Sequence, residues 1–176
     1  FFGRLARIIE DEAAEEGYTV VFGSSDENSA KSAVLIETLL NRQVDGLIIT
    51  PSEGDGDQIK SLMQMNFPFV LVDRYLPGIS TNRVVLDNYM ASYAAVNCFL
   101  AQGYRKVAMI AYKSSLVHMQ ERIRGYQEAM KDHGLSESIL TREIRYNSIK
   151  EDMEATMHEL LFNVKPDALL FATNAL

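Results

Sequence analysis

The sequence has one cysteine among 176 residues, no long apolar run and no excess of basic side chains. With Cys98 alone, an intrachain disulfide and a cysteine-based metal cluster are both excluded. A single cysteine is easiest to reconcile with the cytoplasm, although the periplasm stays open. The formal net charge of −7 argues against a nucleic-acid surface within these residues, because neutralising phosphates requires clustered lysine and arginine.

The absence of a bilayer-length apolar run argues against a membrane partner, and the N-terminus lacks the charged-then-apolar layout of a signal peptide. The apolar share of 47% is ample for a packed core in one ordinary domain or two small lobes. We expect both ends to be incomplete, because the chain opens inside an aromatic-led helix and stops just after an apolar strand.

Signatures of catalysis and of cofactor binding are also missing. Four serines lack the G-x-S-x-G setting of a hydrolase nucleophile: Ser24, Ser25, Ser114 and Ser115. Cys98 lies within a predicted helix rather than at its start, and no spacing of histidine and carboxylates indicates a metal. Gly54-Asp55-Gly56 is too acidic to cradle a phosphate. We therefore predict that the protein is not an enzyme and binds no metal or cofactor.

Helical and extended patterns alternate along the whole chain. Apolar spacing and end signals predict helices at Phe2–Glu16, Ser29–Arg42, Ile59–Met65, Asn88–Gln102, His118–His133 and Ile149–Phe162. Apolar runs predict strands at Thr19–Phe22, Gly46–Thr50, Phe69–Val72, Val84–Leu86, Val107–Ala111, Ile144–Tyr146 and within Pro166–Ala172. Two of these, Gly46–Thr50 and Phe69–Val72, lack polar alternation, which predicts burial on both faces. The alternation is typical of an α/β fold with parallel sheets flanked by helices.

Several polar residues follow predicted strands or open predicted helices, where open α/β sheets bind ligands. Asp73 follows a strand and is a ligand contact, the cap of a turn or a partner of Arg74. Asp87 and Asn88 are more simply explained as helix caps. Arg122 is either a surface charge or a donor to a polar ligand, and its position in the sequence favours the surface. His118, by itself, is more simply a surface or cap residue.

Several stretches together resemble the ligand-binding core of the LacI/GalR family of transcriptional repressors. They occur in family order, with family-like spacing, across nearly the whole chain: Phe1-Phe2, Gly17-Tyr18-Thr19, Val44-Asp45-Gly46-Leu47-Ile48, Phe67-Pro68-Phe69-Val70-Leu71-Val72-Asp73-Arg74, Val84-Val85-Leu86-Asp87-Asn88, Gly103-Tyr104-Arg105-Lys106-Val107-Ala108, Arg122-Ile123-Arg124-Gly125-Tyr126, Pro166-Asp167-Ala168 and Thr173-Asn174. The resemblance implies a two-lobed, periplasmic-binding-protein-like fold. Residues 1–86 would form the N-terminal lobe, without its first strand, and residues 87–176 part of the C-terminal lobe.

The resemblance also implies a ligand site in the cleft between the lobes, with Asp87 and Asn88 at the hinge. Its members would come from both lobes: Phe1 and Phe2 as an aromatic platform, Asp73 as an acceptor for sugar hydroxyls, Arg122 as a donor fork, His118 as a small polar contact, Asn147 or its neighbour Tyr146 where an aromatic often closes the pocket, and Asn174 after the last strand. Aromatic faces and planar polar groups suit a sugar.

Some positions depart from the family pattern. Asn147 occupies a place that is often aromatic, Leu116 one where some relatives carry arginine, and Ala175 one where aspartate is common. The ligand class therefore does not follow from the resemblance.

The resemblance predicts the effector-sensing core of a transcription regulator that binds a sugar or sugar-like metabolite and switches the DNA affinity of a homodimer. DNA would be bound only through a helix-turn-helix absent from this chain. A periplasmic sugar-binding protein of a transporter shares the fold and stays an alternative. A flavodoxin-like or sugar-processing enzyme is a third possibility, for which the sequence offers no catalytic groups.

Overall fold

The structure is a computed structural model that describes residues 2–173, and of Phe2 it describes the backbone. The chain divides into two compact units, one ending at Val44 and the other beginning at Asp45. In the described residues of the first unit, helix α1 spans Phe2–Glu15 and helix α2 spans Ser29–Asn41. Gly17, at a φ of 81°, ends α1 as predicted. Asn28 caps α2, because its side chain accepts from the Lys31 amide at 3.0 Å.

The strand predicted at Thr19–Phe22 is wrong. These residues form no strand, and Val21 and Phe22 are exposed. An extended segment becomes a strand only when a neighbour completes its ladder of backbone hydrogen bonds, and none of residues 2–173 pairs with this one. Local β-propensity was therefore insufficient here.

The second unit contains two three-stranded parallel sheets, which confirms the predicted α/β class. The first sheet has the order β1-β2-β3, with β1 at Leu47–Ile49, β2 at Phe69–Val72 and β3 at Arg83–Val84. Leu47 pairs with Phe69, and Leu71 pairs with Arg83. Helix α3, at Gly56–Gln64, connects β1 and β2 and buries Ile59 and Leu62. The predicted burial of β1 on both faces is wrong, since Ile48 is 53% exposed.

The second sheet has the order β5-β4-β6, with β4 at Val107–Tyr112, β5 at Leu140–Ile144 and β6 at Ala168–Phe171. Helix α4 spans Asn88–Ala101, α5 spans Val117–Asp132, and α6 spans Ile149–His158 before widening into a π-helical turn at Glu159–Val164. The strand predicted at 144–146 therefore lies earlier, because pairing with the six-residue β4 decides where β5 runs. The predicted helix to Phe162 likewise changes its hydrogen bonding at Glu159.

The core of this half lies on both faces of β4, whose residues Val107–Ala111 are all buried. Val107, Met109 and Ala111 pack with residues of α4 and α5, and Ala108 and Ile110 pack with Ile144 and Leu160. Tyr126 of α5 donates its hydroxyl to the Val107 carbonyl at 2.8 Å and accepts from the Leu140 amide at 2.7 Å. The second sheet is thus sandwiched between helices.

Val84 and Val107 lie in different sheets, as a crossing between lobes at residues 86 and 87 requires. The lobe boundary itself stays a prediction. Within residues 2–173, no helix combines the length and the apolar character needed to span a membrane.

Candidate functional site

Asp73 lies directly after β2, as the sequence predicts, in an unusual backbone conformation. Its φ is 67°, a region that residues other than glycine rarely occupy. The Arg74 amide donates to the Val72 carbonyl at 2.7 Å, so Asp73 is the middle residue of a strained γ-turn. The Asp73 amide donates to the Val84 carbonyl of β3 at 2.9 Å, and this bond holds the turn against the sheet. Backbone strain of this kind concentrates at functional sites.

The Asp73 carboxylate also has a charged neighbour. Its Oδ2 lies 3.6 Å from Nε of Arg74, and the two side chains are only 14% and 13% exposed. Of the roles that the sequence left open for Asp73, pairing with Arg74 is therefore present. A carboxylate paired in this way still keeps lone pairs for a further donor.

A cavity of about 170 Å³ opens beside this turn. Its lining joins the end of the first sheet to the starts of α4 and α5: Asp73, Tyr75, Arg83, Val85, Leu86, Asp87, Asn88, Tyr89, Val117, His118 and Glu121. The structure thus brings together four residues that the sequence singled out, namely Asp73, Asp87, Asn88 and His118. Nearby, the Ser115 hydroxyl, in the loop after β4, donates to the Glu53 carboxylate, in the loop after β1. The carboxyl ends of the two sheets therefore meet on the same side.

Arg122 is half-buried next to Asn88 of the cavity lining. The interpretation of Arg122 as a surface charge is therefore wrong. Its Nε donates to Oδ1 of Asn88 at 2.7 Å, and its Nη1 donates to the Ala172 carbonyl at 2.6 Å. Burial lowers the pKa of Arg122, the charge of Asp73 raises it, and the charge of Arg74 lowers it. The guanidinium therefore joins α5, the start of α4 and the segment after β6.

The two predicted hinge residues have different local roles. Asp87 caps α4 by accepting from the Met90 amide at 2.9 Å. Asn88 is buried, and its Nδ2 donates to the Leu86 carbonyl at 3.0 Å while its Oδ1 receives the Arg122 bond. Asn88 thus connects the backbone at the predicted hinge to Arg122.

Of the other predicted site residues, His118 lines the cavity, and the rest lie elsewhere or outside the described residues. His118 is buried in the first turn of α5. Tyr146 and Asn147 are exposed, in a short 3-10 turn after β5, where the Tyr146 ring lies 5.6 Å from the Tyr112 ring. Neither is among the described residues that line the cavity. The predicted contacts of Phe1, of the Phe2 side chain and of Asn174 lie outside the described residues.

Sequence reasoning missed several cavity residues, among them Tyr75 and Arg83. The Arg83 guanidinium lies 3.9 Å from the centre of the Tyr75 ring, in a cation–π contact. Tyr75 could have been found, because it follows Asp73 and Arg74 at a strand end. Arg83 gave no such signal, since only its pairing in β3 brings it to the cavity. Among residues 2–173, no group of three or more His, Cys, Asp or Glu side chains could hold a metal ion.

Comparison with known proteins gives consistent matches along the chain. Residues 1–176 match the sequence model of a family described as periplasmic binding proteins and sugar binding domain of the LacI family. The probable HTH-type transcriptional regulator EndR of Paenibacillus polymyxa is 30% identical, covering 99% of this chain and 51% of that protein. Catabolite control protein A of Priestia megaterium is 26% identical, covering 99% and 53%. This chain therefore spans about half the length of these curated relatives.

Solved structures of similar proteins have the same fold as this chain. A putative ribose operon repressor from Burkholderia thailandensis superposes with a TM-score of 0.82 at 27% identity, covering 98% of this chain and 64% of that one. The Cra transcriptional dual regulator from Pseudomonas putida, solved in complex with fructose 1-phosphate, gives a TM-score of 0.83 at 25% identity, covering 97% and 63%. The predicted periplasmic-binding-protein-like fold is confirmed.

Proposed function

This chain belongs to the family of periplasmic binding proteins and LacI-type sugar-binding domains, and we propose that it senses a sugar or sugar-like effector for a transcription regulator. The relatives described above are regulators, which favours this role over transport and over catalysis. The rest of the regulator would supply a helix-turn-helix for DNA. The protein would act as a homodimer in the cytoplasm.

The observation that carries the proposal is the cavity beside Asp73. The Asp73 carboxylate, a buried histidine and two tyrosine rings line one small space, and Arg122 hydrogen-bonds Asn88 of the same lining. Sugars present hydroxyl pairs to planar polar groups and C–H faces to aromatic rings. Asp73 would accept from hydroxyls, Arg122 would donate to them, and Tyr75 or Tyr89 would face the ring. Contacts from Phe1, Phe2, Tyr146, Asn147 and Asn174 stay predictions.

Switching would use the connection between Asn88 and Arg122. Arg122 contacts the Ala172 carbonyl, and Asn88 holds both Arg122 and the backbone at Leu86. An effector bound to Asp73 and Arg122 would stabilise one arrangement of these groups over another. Such differential binding shifts an equilibrium between open and closed lobes, which a dimer would pass to its DNA-binding heads.

The test is calorimetric titration of the full-length protein with a panel of carbohydrates. We expect at least one ligand, and we expect Asp73→Ala and Arg122→Ala to weaken its binding by about ten- to a hundredfold, since hydrogen bonds to charged groups contribute about 1.5–3 kcal/mol. The matched control is Arg142→Ala, which removes a half-buried arginine bound to Glu159, remote from the cavity lining. Failure of the whole panel, or equal loss with the control, would contradict the proposal.

A further inference from the structure

Two side chains of the cavity lining are held by one residue that lies outside it. Tyr89 is in the first turn of α4, Glu121 is in α5, and both line the cavity beside Asp73. Arg124 follows Glu121 by about one turn of α5 and is not among the described residues of that lining. It nevertheless contacts both side chains, so one guanidinium joins the parts of the lining that come from α4 and from α5.

The contact of Arg124 with Glu121 is a paired one. Nε of Arg124 donates to Oε1 of Glu121 at 3.0 Å, and Nη2 donates to Oε2. Two such bonds between a planar guanidinium and a carboxylate fix their relative orientation. The bond with Arg124 is also the main cause of the lowered pKa of Glu121, while burial and the charge of Asp87 act in the opposite direction. Arg124 therefore offsets the repulsion between two carboxylates of the lining.

The contact of Arg124 with Tyr89 holds an aromatic ring. The guanidinium carbon lies 4.1 Å from the centre of the Tyr89 ring, which is a cation–π distance. Within α4, the Tyr93 ring stacks with Tyr89 at 5.8 Å, and the Tyr93 hydroxyl donates to Asp132 of α5 at 2.8 Å. The Tyr89 ring thus has a neighbour on each helix, and Arg124 is the neighbour that also holds a second cavity residue.

The close crossing of α4 and α5 explains why Arg124 reaches Tyr89. A Cβ on Gly125, the next residue, would lie 2.2 Å from the Tyr89 carbonyl oxygen, so this approach of the two backbones requires glycine. The side chain of Arg124 therefore begins close to α4. Glu121 lies on the same helix at the i,i+3 spacing that brings side chains together. One arginine can consequently contact both residues.

We infer that Arg124 is a positioning residue of the effector site. It holds Tyr89 and Glu121 in the orientation in which they meet the effector, and it does not contact the effector itself. Side chains that are already fixed cost a ligand less affinity than side chains that become ordered on binding. This inference rests on the proposed function, because it assigns a further residue to the same site.

The test is calorimetric titration of the full-length protein with ribose, fructose, glucose and their phosphates as the probes. Arg124→Gln should weaken the binding of a probe about three- to tenfold, because it removes an ion pair and a cation–π contact that are each modest in strength. Arg124→Lys keeps the positive charge and should recover part of this loss. Circular dichroism checks that both variants fold.

The matched control is Lys131→Gln. Lys131 forms an exposed ion pair with Glu128 in the same helix, at the same i,i+3 spacing as the pair of Arg124 with Glu121. Neither Lys131 nor Glu128 is among the described residues that line the cavity. Lys131→Gln should therefore leave the affinity for each probe unchanged. The ratio of the two affinities separates positioning of the lining from a general effect on α5.

Two further measurements distinguish positioning from a structural role alone. With Glu121→Gln already present, Arg124→Gln should cost less affinity than it does with Glu121 intact, because one of its two contacts is already weakened. In protein labelled with 3-fluorotyrosine, the fluorine resonance of Tyr89, assigned with Tyr89→Phe, should shift in Arg124→Gln and stay in place in Lys131→Gln. This resonance needs no bound ligand.

The two proposals fail differently. If a probe binds and Arg124→Gln weakens its binding no more than Lys131→Gln does, the positioning inference is overturned while the sensing function stands. An unshifted Tyr89 resonance, or additive losses from Glu121→Gln and Arg124→Gln, would overturn it equally. If none of the probes binds, the sensing function fails, and the inference that rests on it fails as well.

Discussion

The two sheets of the second unit share a parallel topology but differ in how they are packed. In the first sheet, β3 is two residues long with both residues exposed, and Ile48 of β1 is also exposed. In the second, β4 is buried over five consecutive residues, with helices packed on both faces. The strained turn at Asp73 follows β2 of the first sheet, whereas α4 and α5 pack on the second sheet. The helices of the deeply packed second sheet thus place their side chains opposite a strand end of the less deeply packed first sheet.

The largest contrast is expected from matched isoleucine truncations in the two sheets. Ile110→Ala should lower the free energy of unfolding by about 2–5 kcal/mol, because Ile110 is fully buried and its removal leaves a cavity. Ile48→Ala should change it by only about 0.5 kcal/mol, because the side chain is mostly exposed. Urea unfolding measures both. Equal losses would show that the sheets do not differ in packing.

A smaller contrast is expected from two glycines. A Cβ on Gly125 of α5 would lie 2.2 Å from the Tyr89 carbonyl oxygen of α4, and backbone cannot move aside cheaply. Gly125→Ala should therefore destabilise by about 1–3 kcal/mol. Gly56→Ala, at the start of α3, meets no atom within 4 Å and should be neutral or stabilising. Thermal unfolding distinguishes them, and a neutral Gly125→Ala would refute the close α4–α5 contact.

The smallest effect is expected from acid, and it concerns the second sheet. Asp167, just before β6, accepts from the amides of Arg105 and Lys106 at 2.9 Å each, and these bonds lower its pKa. A lowered folded-state pKa stabilises the fold above the ordinary value near 3.8, and this stability is lost as pH falls through the lower value.

Asp167→Asn should therefore reduce stability at pH 7 and flatten its decline below about pH 4. The exposed Asp57, in α3, provides the control: Asp57→Asn should leave the curve nearly unchanged. Unfolding midpoints measured from pH 7 to pH 2.5 test the difference. A pH profile that Asp167→Asn does not alter would show that these bonds contribute nothing.

Local signals predicted several elements well. Asp87 before an alanine-rich run predicted the start of α4, because a cap and the helix that it begins are neighbours in sequence. Gly17 predicted the end of α1 for the same reason. The strand at Thr19–Phe22 and the position of β5 were wrong, because strands depend on partners distant in sequence.

The sequence by itself determined the α/β class, the family, and the polar residues at strand and helix ends, since these follow from local spacing and short motifs. Only the tertiary structure decided what those residues do together. From its position in the sequence Arg122 is a surface charge, but it is a half-buried donor because Asn88 and Ala172 converge on it from 34 and 50 residues away. Similarly, the cavity beside Asp73 exists because folding brings the end of the first sheet to the starts of α4 and α5. Electrostatics and burial depend on distances in space, which sequence spacing does not contain.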